Sequence, residues 1–280
     1  MYKWLQVEAT TKCNAWCPGC ARNNGGYGLV DDLVLEDLNE NVFENHLKSM
    51  PDLEVIDFCG TYGDAIAAYN IKTLVEVAKK YAPKIILRTN GSLRNNVWWA
   101  QFANILKGTD HEVWFCLDGL ADTHAIYRQG TDFDTIINNA KIFMVHGGVA
   151  VWQYIPWEHN QHQIKDAIRM SQQLGFKRFE FIQDVRKDFV ARDYQTGAEI
   201  KIRPWQEDQK LNRYEKNRST LKLENCRHLS QPSVYLNANG QLSPCCFFNT
   251  HLCANSLNEL PDIASELNNP RENCIWHCSQ

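Results

Sequence analysis

Short apolar segments alternate with segments of helical periodicity through roughly the first 180 residues, and this alternation leaves very few architectures open. Strands are expected at 3–9, 53–58, 84–88, 112–117, 149–155 and 178–182. Helices are expected at 32–47, 71–80, 96–106 and 132–145. One more carries Ile164, Ala167, Ile168, Ser171 and Leu174 on its inward face and stops at Gly175. Six strands separated by helices make a parallel β/α sheet, and apolar strands without strict alternation fit burial on both faces. Six are too few to close an eight-stranded barrel. The expected fold class is α/β, a partial (β/α)6 TIM barrel over 1–182.

Residues 183–225 are polar with alternating charges and read as a connecting segment with one strand at 199–202. The stretch 226–280 reads as a small module: a hairpin of 234–237 and 241–245 around an Asn239-Gly240 turn, then a helix at 256–267. It is too short for an ordinary core and is expected to need metal to fold.

Charge and hydropathy exclude several classes. Twenty-nine basic against 33 acidic residues give a net charge of -4 with no long basic tract, which argues against a general nucleic-acid binder. No apolar run is long enough for a membrane helix, and a cysteine cluster occupies the place of a signal peptide's apolar core. A cytoplasmic protein without a membrane partner is expected. Eleven cysteines are many for a reducing compartment. Cys13, Cys17 and Cys20 sit together near the start; Cys226, Cys245, Cys246, Cys253, Cys274 and Cys278 lie near the end; only Cys59 and Cys116 fall between. A disulfide framework would not leave so large a middle unstapled. Two separate metal or cluster sites explain the distribution.

Cys13-x3-Cys17-x2-Cys20 offers three thiolates after a strand, with Pro18 and Gly19 keeping the loop tight. Three thiolates can hold three irons of a cubane and leave the fourth open. Zinc, with His111 or His124 as a fourth ligand, is the alternative. Further chemistry-bearing segments fall at strand C-termini, where β/α folds build their sites: Gly60-Thr61-Tyr62-Gly63-Asp64, Thr89-Asn90-Gly91 and Phe115-Cys116-Leu117-Asp118-Gly119. Read alone, Asp64 and Asp118 are equally helix caps, the glycines turn formers, and Cys59 and Cys116 small core residues.

These segments together resemble those of the radical S-adenosylmethionine (SAM) enzymes, and the chain is similar to that family over nearly its whole length. The resemblance implies a [4Fe-4S] cluster on Cys13, Cys17 and Cys20, with SAM chelating the open iron. It implies that the turn containing Gly63 and Asp64 receives the SAM amino group and that Arg128 pairs with the SAM carboxylate. Thr89, Asn90, Cys116, Asp118 and Gln153 would complete the cofactor site, Gln153 at the ribose. Here Gly19 stands where the family often has an aromatic residue against adenine, so Trp16, Ile155 and Ile182 are candidate replacements. Asp64 stands for the family's Glu, and Cys116 for a serine.

Cys226, then Gly240 and Cys245, resembles the start of a C-terminal SPASM or twitch module. The short, single-cluster form is favoured, with an auxiliary [4Fe-4S] cluster on Cys226, Cys245, Cys274 and Cys278, Cys253 as an alternate ligand, and a zinc knuckle as the other reading. Cys246, next to Cys245 on a strand, would face away. The activity implied is reductive cleavage of SAM to a 5′-deoxyadenosyl radical that abstracts hydrogen from a substrate C–H, with flavodoxin or ferredoxin as electron donor. A peptide or protein substrate is expected first, and a small molecule such as an amino sugar second. A cluster-binding protein without radical chemistry is the third reading. The first strand opens this sequence, which is not expected of an enzyme carrying its own leader-recognition domain. Tyr62, His124, Tyr127 and Trp157 are the candidate pocket residues.

Overall fold

The computed structural model describes residues 2–108, 110–182, 188–205, 233–246 and 253–260. Six parallel strands follow one another in sheet order: β1 (Trp4–Val7), β2 (Val55–Phe58), β3 (Lys84–Thr89), β4 (Glu112–Cys116), β5 (Ala150–Tyr154) and β6 (Arg178–Phe181). Helices α1 (Glu40–Lys48), α2 (Ile71–Ala78), α3 (Asn96–Leu106), α4 (His124–Tyr127), α5 (Phe133–Val145) and α6 (Ile164–Leu174) fill the connections. This is the partial barrel expected, with α4 as a short unforeseen addition. No described helix is long and apolar enough to cross a membrane.

The sheet extends beyond six strands. β9 (Ser233–Leu236) runs parallel to the outer edge of β1, Leu5 opposite Val234, and β10 (Leu242–Ser243) pairs antiparallel with β9. The hairpin expected within the tail thus belongs to the barrel's own sheet. Cys245 and Cys246 lie past the end of β10, so strand alternation does not fix where they point. Of the helix expected at 256–267, the described residues contain a single 3-10 turn, Leu257–Glu259.

Strand periodicity sorts the two faces. Leu5, Val7, Ile56, Phe58, Ile85, Leu87, Phe115 and Trp152 pack outward against Leu74, Trp99, Phe102, Ile136 and Phe143 of the helices. The alternate positions face inward and are largely polar. Ile86, Trp114 and Val151 form an apolar patch there, with Trp4, Val55 and Ile182 packed against it. The Arg88 guanidinium lies 4.0 Å and that of Arg178 5.1 Å from the Trp114 ring centroid. Arg178 also grips Glu112 through two bonds of 2.6 and 2.7 Å. Burial pushes the Glu112 carboxyl up, but the bonds from Arg178 and Trp114 win and hold it at about 2.

The helix expected from 32 begins only at Glu40. Asn39 caps it, its Oδ1 accepting the N–H groups of Asn41 and Val42 at 2.9 and 3.2 Å. Ahead of it, Thr11 donates its hydroxyl to the Val34 carbonyl at 2.6 Å and its N–H to Glu36 at 3.0 Å. Those carbonyls would otherwise serve a helix. Here they tie 34–36 to the cysteine loop instead, leaving Val34 and Leu35 exposed.

Between β6 and β9 the structure adds a hairpin, β7 (Phe189–Arg192) with β8 (Glu199–Ile202). β8 was expected. β7 was not, because its two inward residues, Phe189 and Ala191, are too few to announce a strand.

Gly91, just after β3, sits at φ +71°, and a Cβ there would come 2.6 Å from Phe115 and 3.0 Å from Ile136. Gly91→Ala therefore adds left-handed strain to overpacking. We expect a loss of about 2–4 kcal/mol, read as a lower urea midpoint. An unchanged midpoint would mean that this corner is not rigidly packed.

Candidate active site

Five thiols, three arginines and the ends of β2 to β5 meet in one open cavity of about 280 Å³ at the C-terminal end of the sheet. Cys13, Cys17 and Cys20 line it together with the turn 60–64, Arg88, Thr89, Asn90, Cys116, Arg128, Gln153 and Ile155. Of the residues expected at the cofactor, Asp118 and two of the candidate adenine contacts, Trp16 and Ile182, are not on this wall. Asp118 lies fully buried behind Arg128.

The cysteine loop is placed by both neighbours. The Trp16 N–H donates to the Gln129 carbonyl at 2.8 Å, and Asn23 Nδ2 to the Cys17 carbonyl at 3.1 Å. Two of the sulfurs are set as acceptors, while Cys20 Sγ donates to the Thr61 carbonyl at 3.8 Å. Cys13 Sγ lies 3.3 Å from the Ala15 N–H and 3.7 Å from Asn90 Nδ2, and Cys17 Sγ 3.9 Å from Arg128 Nη1. Burial pushes the Cys13 thiol well up and that of Cys17 up to about 11, the latter against the pull of Arg128. An unligated thiol here stays protonated, while a bound cation would turn each sulfur into the thiolate that these donors suit. All eight described cysteines are free thiols.

The donor set fits a cluster better than a single ion. Among the described residues no group of three or more His, Cys, Asp or Glu side chains is placed to hold one metal ion. In a cubane each thiolate takes its own iron. Neither histidine offered for zinc is at hand. His111 Nδ1 accepts the Ile85 N–H at 3.1 Å near the start of β4, the far end of the barrel. His124 Nδ1 accepts the Asp118 N–H at 3.3 Å, and its Nε2 faces Thr131 Oγ1 at 3.0 Å.

Arg128 and Asp118 form a buried pair. Asp118 accepts Arg128 Nε at 2.5 Å on one oxygen and the Ile155 N–H at 2.7 Å on the other. That leaves the far end of the guanidinium directed to Cys17. Asp64 is equally engaged: Oδ1 accepts the Thr89 hydroxyl at 2.7 Å and the Ile66 N–H at 3.1 Å, and Oδ2 accepts the Asn90 N–H at 2.6 Å. It caps the 3-10 turn Ala65–Ala67 and fastens the end of β3 to the turn after β2. Gln153 Oε1 accepts Arg88 Nη1 at 2.9 Å, while two other Arg88 nitrogens reach Asp57.

Cys59 and Cys116 face this cavity, not the core. Burial pushes their thiols up to about 11 and about 12. Of the expected pocket residues, Tyr62 and Tyr127 line the cavity. Trp157 is fully buried behind Tyr127, ring centroids 4.8 Å apart, and His124 is buried behind Arg128. Ile155 lines the wall; Ile182 packs on the cluster of apolar residues beneath the cysteine loop; Trp16 stacks on Tyr194 of the β7–β8 turn at 5.5 Å. Sequence reasoning passed over Glu8, Arg22 and Arg88. For Glu8 and Arg88 the signal was a charge set inside or beside an apolar strand; Arg22, in the cysteine loop, carried none. Cys245 is buried and Cys253 partly so, accepting from Asn237 at 3.6 Å. Cys226, Cys274 and Cys278 lie outside the described residues.

Burial first, and then the Arg128 charge, pushes the His124 imidazole down to about 3. The unfolded chain takes up a proton near pH 6.5 that the folded chain refuses, so this stability is present above that pH and lost as pH falls. From pH 7 to 5.5 the loss is about 1 kcal/mol for this one group. His124→Gln should show a correspondingly smaller drop in urea unfolding. An identical pH dependence in both proteins would show that His124 titrates normally.

No family model and no curated protein matches the sequence. Solved structures do. The chain is similar to Streptococcus suis SuiB bound to S-adenosylmethionine, at 15% identity and a TM-score of 0.64, over 98% of this chain and 67% of that one. It is also similar to SuiB bound to the precursor peptide SuiA, at 15% identity and a TM-score of 0.62, over 90% and 61%. A third likeness is to anSMEcpe with bound AdoMet, at 16% identity and a TM-score of 0.63, over 98% and 82%. The chain spans about two thirds of the SuiB length, and at these identities the likeness is one of fold: the barrel is one that proteins binding S-adenosylmethionine use.

Proposed function

We propose that this chain is a radical SAM enzyme that modifies a peptide. The observation that carries the reading is the convergence of the Cys13, Cys17 and Cys20 thiols, a guanidinium and the backbone of the 60–64 turn on one cavity at the strand ends. When bound, a [4Fe-4S] cluster and SAM supply reductive cleavage of SAM and hydrogen abstraction from an unreactive C–H.

The chain's own residues would do the rest. Cys13, Cys17 and Cys20 would hold three irons. Arg128, its Nε spent on Asp118 and its Nη1 facing Cys17 Sγ, would turn the outer end of its guanidinium to the carboxylate of SAM beside the cluster. The carbonyls of the 60–64 turn suit an ammonium, and Asp64 holds that turn to the end of β3. Ala15, Tyr127, Ile155 and Ile202 form an apolar floor that would keep water from the reacting atoms. A peptide is favoured by the likeness to SuiB, which was crystallised with its precursor peptide. An outside one-electron donor such as flavodoxin or ferredoxin is implied, and so is the auxiliary cluster on Cys226, Cys245, Cys274 and Cys278.

The anaerobically reconstituted protein, given dithionite and SAM, should release 5′-deoxyadenosine. Alanine at Cys13, Cys17 or Cys20 should abolish release and spare the tail's iron, while Cys226→Ala or Cys274→Ala should lose about half of the iron. Parent-rate SAM cleavage by the Cys13 variant would sink the assignment. Four irons and one zinc in the parent would replace the second cluster with zinc.

Arg128→Ala should weaken SAM binding, followed by calorimetry at constant iron content, by about 10–150-fold, the worth of one charge-assisted bond. Arg128→Lys should fall between. Parent affinity in the alanine variant would remove Arg128 from the cofactor site.

A further inference from the structure

The turn 60–64 is held from behind by two residues far apart in the sequence. Glu8, just past β1, is 1% exposed. Its Oε1 accepts the N–H groups of Tyr62 at 2.7 Å and Gly63 at 2.8 Å. Its Oε2 accepts the Tyr235 hydroxyl of β9 at 2.6 Å. The same phenol oxygen accepts the Thr61 N–H at 3.3 Å and lies 3.2 Å from Thr61 Oγ1. Three consecutive amides thus converge, directly or through Tyr235, on one carboxylate, as they do around an anion in a backbone nest.

With its amides drawn to Glu8, the turn offers carbonyls to the cysteine loop. The Thr61 carbonyl meets Cys20 Sγ at 3.8 Å, and the Tyr62 carbonyl accepts Arg22 Nη1 at 2.9 Å. The fit leaves no slack: a Cβ on Gly63 would stand 1.8 Å from the Thr10 carbonyl oxygen. Rotating a peptide of this turn would swap a carbonyl for an N–H on the cavity side, replacing an acceptor of cations with a repeller.

We propose that Glu8 and Tyr235 are positioning residues that lock the carbonyl-forward conformation of the 60–64 turn, so that the segment after residue 232 is part of the cofactor site. Neither side chain need touch the cofactor. Tyr235 acts through Glu8 and Thr61, and Glu8 through Tyr62 and Gly63. The proposal rests on the SAM-binding reading above, because the turn's carbonyls matter only to a cationic group.

The test uses the reconstituted full chain and two readouts. One is amide exchange at Tyr62 and Gly63 without SAM; the other is calorimetric SAM affinity at constant iron content. Tyr235→Phe and Glu8→Ala should each speed exchange at those amides and weaken SAM binding about tenfold. Glu8→Gln, whose amide oxygen still accepts both N–H groups, should restore most of the affinity. If Glu8→Ala does not fold, Tyr235→Phe and Glu8→Gln carry the test. Faster exchange with unchanged affinity, or no change in either, overturns the proposal while the SAM reading stands. A parent protein that binds no SAM overturns both.

Discussion

The buried Asp118–Arg128 pair is the constraint on which the cavity depends. Asp118 has no exposed surface, and a lone carboxylate there would carry a desolvation cost of several kcal/mol. It is tolerated because Arg128 and the Ile155 N–H take both of its oxygens. The pair joins β4, the end of β5 and α4 at one point. From there the Arg128 side chain and the Gln129 carbonyl reach the cysteine loop. His124, kept neutral, closes the circle by accepting the Asp118 N–H. A cation fixed beside Cys17 favours thiolate over thiol.

The barrel's two faces divide the work. The outer face is a conventional core of aliphatic and aromatic side chains against helices. The inner face carries paired charge instead, Arg88 with Asp57 and Arg178 with Glu112, either side of Trp114. Such pairs add little net stability, since desolvation offsets their attraction. What they contribute is fixed geometry. Arg88 holds Gln153 in the cavity wall.

What was legible in the sequence was local. The six strands announced themselves by apolar runs between turn residues, and α6 by the glycine at its end, which adopts the left-handed conformation. The cysteine loop was legible through spacing alone. The false start of α1 at 32 has a tertiary cause: Thr10 and Thr11 capture carbonyls that local periodicity assigned to a helix. Glu8 and Tyr235 were invisible for the same reason, since nothing in either neighbourhood hints at a partner 227 positions away. Asp64 illustrates a third case. It caps the 3-10 turn, as one local reading allows, and the same carboxylate also fastens the end of β3, a tertiary role that no local pattern shows.

The pairing of β9 with β1 also dictates an order of biosynthesis. A chain leaving the ribosome presents β1 early, and β2 can cover only one of its edges. The other edge stays open until residue 236 has emerged, a long interval during which an unpaired strand invites wrong partners. Throughout that interval the turn beside the cysteine loop lacks its bond to Tyr235. The turn 60–64 therefore completes its hydrogen bonds only after Tyr235 has emerged.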